Sequence, residues 1–375
     1  MKEELSSLEL KYIVEEMQPL LDGKIDKVFQ PDKKELLLQI HKTGLGKKFI
    51  RITPKFIYLA SSKIEVPLKP PGFCSYLRKK LGNARIREIQ QKDFERIVIV
   101  VLETKDLKYN LVIELFNKGN VILCDENFLI LSPMELQRWE NRDILPRKPY
   151  VFPKSEINVL ELDEAKLTDL AAKTKQDSLI KFIASDVTFG GMYGKEILAE
   201  AKLDEKQHPN KLKDKEIKLI LKLIKAILKK KKDPQVVMDK EKTKDIVPFS
   251  IETFSKSEKK HFETYNEALD SVLTEKVITE KSEEKEKTKR KASNKYEVII
   301  KAQEKQIKKL EDTTEKNHRK GEIIYENFQK IETIIKELKE LRKKHSWKEI
   351  KEKVEGHDII KKIDDVKGRI ILEIE

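Results

Sequence analysis

KIDKVFQPDKKELLLQIHKTGLGKKFIRIT, residues 24–53, decides the fold class. It holds three apolar runs, 24–30, 35–41 and 48–53, broken by Pro31-Asp32 and by Gly44-Leu45-Gly46. Runs of this length, rich in Val, Ile, Leu and Phe and bounded by turn residues, read as strands. The connections are too short for a parallel crossover, so the strands form an antiparallel meander. Working outward, Leu8, Ile13, Val14, Met17, Leu20 and Leu21 recur at helical spacing before Gly23, which predicts an amphipathic helix over 5–22. Downstream, 73–81 reads as a short helix stopped by Gly82-Asn83. The strand pattern then resumes at 85–90, 96–103 and 110–116, with a turn at 117–120 leading into 121–124. The first 150 residues are thereby expected to be α+β, mainly an antiparallel sheet.

The pattern changes after residue 161. Helices are expected to about 232, interrupted by Gly190-Gly191-Met192-Tyr193-Gly194, and a β-like stretch follows over 235–254. That stretch and 265–269 are expected to return to the first domain, making the helical part an insertion. Residues 276–345 are mostly Lys, Glu and Ile with Leu, without Pro and with Gly321 alone, the composition of a long exposed helix. Within it Ile323, Ile324, Phe328, Ile331, Ile334, Ile335, Leu338 and Leu341 form a seam that wants a partner helix, and 312–320 has none. The last segment reads as a small cap whose contribution to the seam is not evident from the sequence. The resulting division is 1–175 for the first part of the sheet domain, 176–233 for the helical module, 234–275 for the return segment, 276–346 for the coiled-coil helix and 347–375 for the cap.

Of 375 residues, 79 are Lys or Arg and 66 Asp or Glu, a formal charge of +13. The basic excess suits a polyphosphate partner, because each neutralised phosphate releases counterions; it equally fits a Lys/Glu-rich proteome adapted to heat. Two cysteines, Cys74 and Cys124, stand far apart among apolar neighbours, as in a reduced, cytoplasmic protein. No apolar run approaches the ~20 residues needed to span a bilayer, so no membrane partner is expected. Neither a zinc-ligand spacing, a Walker A loop, an HExxH nor a GxSxG occurs, so no metal, no cofactor and no side-chain catalysis are expected.

Three features bear on nucleic acid, each with a plainer reading beside it. The 190–194 glycines, followed by Lys195, look like a helix-hairpin-helix turn that turns backbone amides toward a phosphate; a simple interhelical turn uses glycine in the same way. Lys222, Lys225 and Lys229 to Lys232 gather at one helix end, where they serve an RNA backbone or the helix dipole and solvent. Glu95-Arg96 stands at the entrance to the 97–102 run, where an acid and a guanidinium can share a base or ribose and a phosphate, or pair only with surface charges.

Taken in order, Gly23 to Pro31, Pro70 to Leu81, Arg142 to Pro146 with Tyr150, the hairpin glycines, 262–269 and the helix ending at Trp347 resemble the NFACT family of RqcH/NEMF-like ribosome quality control factors, once labelled fibronectin-binding proteins. The resemblance implies an NFACT-N domain interrupted by a helix-hairpin-helix module, then the first arm of a coiled coil and its middle cap. It also implies a function: binding a large ribosomal subunit that carries peptidyl-tRNA and recruiting a charged tRNA, alanyl-tRNA in RqcH-like members, for untemplated C-terminal tailing of the stalled chain. The family's Asp-Arg pair for tRNA falls on Glu95 and Arg96, and a further acidic position falls on Glu9. Weaker contacts to the nucleic-acid backbone are expected at Gly190, Gly191, Gly194, Lys195, Arg78 and Lys79. Position 2 is Lys, where the DNA glycosylases of similar plan carry a catalytic proline, which disfavours glycosylase chemistry; a nucleic-acid-processing enzyme of that plan is the rival reading and a surface fibronectin-binding adhesin the other. A returning helix and an NFACT-R domain are implied beyond residue 375, so the sequence is expected to be a fragment of a longer protein rather than a naturally short form, its unpartnered seam then pairing with that of a second copy in a homodimer.

Overall fold

The computed structural model describes the chain except residues 1, 63–64, 140–141, 154–156, 241, 355, 365–366, 368 and 375, and describes no side chains over 275–295. Two compact units result, Met1–Glu280 and Lys281–Glu375.

The first unit is built on a nine-stranded antiparallel sheet: β1 (Lys24–Asp32), β2 (Glu35–Lys42), β3 (Gly46–Ile52), β4 (Ile57–Ala60), β5 (Arg85–Gln91), β6 (Ile97–Glu103), β7 (Lys108–Glu114), β8 (Asn120–Asp125) and β9 (Ile130–Pro133). Their order, β4-β3-β2-β1-β5-β6-β7-β8-β9, joins two meanders edge to edge at β1 and β5. The α+β reading with an antiparallel sheet therefore holds. Pro31 does not end the first strand. The strand runs on to Asp32, with the register irregular between Phe29 and Asp32, where a residue without an N–H is tolerated. The turn between β2 and β3 does depend on glycine, since Gly44 and Gly46 take φ of +84° and +69°.

Helix α1 (Ser7–Met17) packs on β4 and β5, and α2 (Gly72–Leu81) touches both β1 and β9, so the sheet curls around it. Alternate residues of the central strands feed two cores. Val98, Val100, Leu111, Ile113 and Leu123 join the main core under α1, whereas Ile97, Ile99, Val112, Ile122 and Cys124 face a smaller core on the other side. That second core is closed by the hairpin β10 (Gln137–Trp139) and β11 (Arg142–Ile144) with Tyr150. Buried Glu114 accepts Arg142 Nη1 at 2.8 Å, Nη2 at 3.2 Å and the Tyr150 hydroxyl at 2.7 Å. The 142–150 motif is thus a structural clasp: a bidentate guanidinium and a phenol neutralise a carboxylate that would otherwise be stranded in apolar surroundings.

The helical region comprises α3 (Glu164–Lys173), α4 (Leu179–Lys181) running into a π turn at Phe182–Asp186, α5 (Gly191–Ala201) and α6 (Asp214–Leu228). A three-stranded sheet follows, with β12 (Gln235–Asp239) between β13 (Lys242–Val247) and β14 (Glu258–His261). The long helix α7 (Tyr265–Glu326) starts against α1, where Glu16 accepts the amides of Tyr265 at 2.9 Å and Asn266 at 3.0 Å and so caps it across the core.

In the second unit α7 gives way at Asn327 to α8 (Phe328–Lys344), followed by α9 (Trp347–Lys353) and the hairpin β15 (Ile360–Asp364) and β16 (Arg369–Leu372). One uninterrupted helix to residue 346 was the expectation, and the break at Asn327 corrects it. The lower seam finds its cover within the chain: Ile334 and Leu338 are buried with Ile350, Ile360 and Ile363, and Leu341 packs beside them. Higher up, Ile324 and Phe328 are exposed.

Candidate functional site

A cleft of about 460 Å³ opens where the start of α1, the β5–β6 turn, the α4–α5 turn and β13 meet. Each wall has a local cause. Ser6 caps α1, its hydroxyl accepting the Glu9 amide while the Glu9 carboxylate accepts the Ser6 amide at 2.8 Å, a reciprocal capping box. Asp93 and Phe94, both at positive φ, reverse the chain before Glu95-Arg96. Phe94 is buried against Phe189 with ring centroids 5.6 Å apart, which ties this turn to the one before α5. The Gln91 side-chain amide ties the same turn to α1, donating to the Ser7 carbonyl at 2.8 Å and the Glu95 carbonyl at 2.9 Å. Gly190, at φ +78°, turns the chain into α5 opposite Ser6.

The floor is a buried charge cluster. Lys2 Nζ lies 2.6 Å from Glu9 Oε1 and 3.1 Å from Asp245, and Tyr193 donates its hydroxyl to Glu9 at 2.9 Å. Burial alone would push the Lys2 ammonium down, but the Glu9 and Asp245 carboxylates outweigh it and hold its pKa above the ordinary lysine value. Burial pushes the Tyr193 phenol well above its usual range, with the charge of Glu9 adding to it. At the rim Arg96 Nη1 meets Glu4 at 2.7 Å, and Glu4 also takes Lys55 Nζ at 2.6 Å. Burial would raise the Glu4 carboxyl, but the hydrogen bond from Lys55 and the charge of Arg96 bring it below the usual carboxylate range. The half-buried Glu95 carboxylate has no hydrogen-bond or ion-pair partner among the described residues.

Of the residues singled out in the sequence, Glu9, Glu95, Arg96, Gly190 and Gly191 line this one cleft. Glu9, however, points inward: at 1% exposure its oxygens already accept from Lys2, Ser6 and Tyr193, so it holds the wall in position. Gly194 lies inside α5, its amide given to the Gly190 carbonyl and its bare Cα facing Ile180 and Ile183, so it serves packing. Lys195 is exposed on α5 away from the cleft lining. Arg78 and Lys79 sit on α2 elsewhere, with Arg78 Nε donating to the Val28 carbonyl at 2.8 Å. Sequence reading missed Glu4 and Asp245, and it named Lys2 and Tyr193 without giving them a part in the cleft. The Ser6-x-x-Glu9 spacing was a readable signal for the cap, but nothing local marks residue 245 as a neighbour of residue 2.

Five carboxylates, of Glu3, Glu4, Glu9, Glu95 and Asp245, line the cleft against the two cations Lys2 and Arg96. Lys2 is spent on the floor and Arg96 is shared with Glu4, so one guanidinium and the carboxylates of Glu95 and Glu3, unpaired among the described residues, remain to meet a ligand. That pairing is poor for a bare polyphosphate and good for an unpaired nucleotide, whose base N–H groups or ribose hydroxyl face the acid while its phosphate faces the arginine.

The fold is an α+β domain with an antiparallel sheet and an interposed helical segment, followed by a long charged helix. The chain belongs to the family described as NFACT N-terminal and middle domains, which it matches over residues 6–368. It is 31% identical to the archaeal Rqc2 homolog aRqcH of Methanocaldococcus jannaschii, over all of this chain and 59% of that protein. It is 24% identical to the human ribosome quality control complex subunit NEMF, over 93% of this chain and 35% of that one. It thus spans just over half the length of the first of these relatives and about a third of the second. The N-terminal part of the fibronectin/fibrinogen-binding protein from Streptococcus suis shares the fold, with a TM-score of 0.58 at 23% identity over 72% of this chain and 99% of that one.

Proposed function

We propose that this chain is the tRNA- and large-subunit-binding part of a cytoplasmic factor of ribosome-associated quality control, supporting untemplated tailing of stalled nascent chains on a subunit that carries peptidyl-tRNA. The relatives' names support the process, and the cleft supports the ligand. The observation that carries the reading is an unpartnered carboxylate beside an arginine, Glu95-Arg96, held rigidly against a glycine turn at the start of a helix. Arg96 takes a backbone phosphate and Glu95 accepts from a base edge or ribose hydroxyl of an unpaired tRNA nucleotide. Glu9 and Lys2 hold the wall in place. The preference for alanyl-tRNA follows only if Glu95, one methylene longer than aspartate, still reaches the discriminating group.

The charged floor also bears on the enzyme alternative. An attacking lysine must be neutral, and Lys2 is held as an ammonium between two carboxylates, so it is a poor nucleophile.

Arg96→Ala tests the proposal. Because Arg96 is a rim residue, the thermal melt should stay within about 1 kcal/mol of wild type. Affinity for bulk tRNA should fall, and the slope of log K against log salt should lose roughly one phosphate's worth of counterion release. Unchanged tRNA affinity at fixed salt would remove the site assignment.

A further inference from the structure

The free protein already holds an anion where the ligand's phosphate is expected. Glu4 presents one carboxylate oxygen to Arg96 at 2.7 Å and the other to Lys55 at 2.6 Å. Lys55 is not part of the cleft lining and reaches Glu4 from the β3–β4 connection. Both cations and Glu4 are partly open to solvent, with 28% of the Arg96 side chain, 35% of Lys55 and 43% of Glu4 exposed. The backbone around Glu4 is fixed, by contrast. On one side Lys2 is pinned to Glu9 and Asp245; on the other Leu5 is fully buried and its amide donates to the Lys55 carbonyl at 3.2 Å. Glu4 can therefore leave its position by side-chain rotation alone, with no loop motion.

We infer that Arg96 and Lys55 form a two-cation bracket for one RNA phosphate, and that Glu4 is the resident carboxylate that must swing out before the phosphate enters. The inference rests on the RNA-binding reading of this cleft and adds to it a binding residue, Lys55, and a gating residue, Glu4. A phosphodiester offers two non-bridging oxygens in the same fork as a carboxylate, so it can take over both contacts at once. The exchange is charge-neutral for the bracket, because a phosphodiester brings the same single negative charge as the carboxylate it replaces. Selectivity is a second consequence. A ligand that offers only a phosphate gains little over Glu4, whereas one that also satisfies Glu95 displaces it.

The experiment titrates bulk tRNA and, separately, tripolyphosphate into the full chain and into Glu4→Gln, Lys55→Gln and Arg96→Ala, each at several salt concentrations and each checked by thermal melt. Glu4→Gln should bind both probes about fivefold more tightly, the upper range for releasing a partly exposed ion pair. Lys55→Gln should bind both about fivefold more weakly and lose roughly one charge from the salt slope. If tRNA binding depends on Arg96 but neither Glu4→Gln nor Lys55→Gln moves it, the bracket is wrong and the RNA site stands. If Glu4→Gln tightens tripolyphosphate while tRNA is ignored by every variant, the bracket stands and the RNA reading fails. Should Glu4→Gln melt early, Glu4→Asp withdraws the carboxylate by one methylene and must still tighten binding; weaker or equal binding there overturns the gate.

Discussion

Replacing Glu9 by Ala should destabilise the first unit far more than a helix-cap mutation does. The loss of the capping box alone is worth about 1 kcal/mol. Here the same carboxylate also neutralises Lys2, whose side chain is only 6% exposed, and accepts the buried Tyr193 hydroxyl. Removing one member of a buried ion pair costs about 3–5 kcal/mol because the other charge is left without compensation. Asp245 remains 3.1 Å from Lys2 and softens the loss, which places Glu9→Ala at about 3 kcal/mol, toward the low end of that range. Glu9→Gln keeps one acceptor oxygen and turns the other into an amide donor, so either the Ser6 amide or the Tyr193 hydroxyl loses its acceptor along with the charge, and about 2–3 kcal/mol is expected. Lys2→Met strands two carboxylates, Glu9 and Asp245, and should be as costly as Glu9→Ala. The double variant Lys2→Met with Glu9→Gln should recover part of the sum, since an ion pair replaced on both sides is often near neutral. The assay is urea unfolding in a Trp347→Phe background, which leaves Trp139 as the single tryptophan and so reports on the first unit. A Glu9→Ala variant within 1 kcal/mol of its parent, or single losses that simply add in the double variant, would refute the picture of a coupled buried cluster.

Two further outcomes follow from backbone and titration. Gly190→Ala should cost about 1–2 kcal/mol, the penalty of a side chain at left-handed φ, whereas Gly191→Ala, which meets open space at the first turn of α5, should be neutral or slightly stabilising; equal melts for the two would contradict the turn geometry. Stability should fall above pH 10: burial holds the Tyr193 and Tyr265 phenols well above their usual range and Lys2 is raised by its carboxylates, so the unfolded chain releases these protons first, and each such group takes away up to about 1.4 kcal/mol per pH unit. Here the sign is fixed, because the protonated forms are those the folded state binds, and a flat urea midpoint between pH 9 and 11 would be inconsistent with it.

The sheet was legible because its signal is local. In β1 to β3 and again in β5 to β8 apolar runs of strand length alternate with short turns, and a meander needs no information beyond neighbouring segments; the short strands β4 and β9 were not read. The start of α7 was harder to read, since its first amides are capped by Glu16, some 250 residues earlier in the chain. The seam illustrates a different limit. Its periodicity gave the helix, but a heptad pattern does not say what covers it, and the lower turns turned out to be covered by Ile350, Ile360 and Ile363 of the cap. The break at Asn327 carried no Pro or Gly to announce it.

The cleft divides along the same line. Glu95-Arg96 and Gly190-Gly191 could be picked out as residue types, yet each had an equally good plain reading, because a charge pair or a glycine pair is common at surfaces and turns. What separates the readings is convergence. Phe94 against Phe189 and Gln91 between Ser7 and Glu95 bring three sequence-distant turns to one rim, and that juxtaposition is a property of the packed core. The same convergence inverts the role of Glu9. As an isolated acid in the first turn of a helix it looked available to a ligand; with Lys2, Ser6 and Tyr193 around it, it is the most heavily satisfied carboxylate in the cleft. A buried carboxylate that already accepts three donors from the protein is poorly placed to meet an RNA as well, so an effect of mutating Glu9 on tRNA binding is expected to come through the position of the wall. Such an effect should appear together with lost stability, whereas Arg96→Ala should show the binding defect alone.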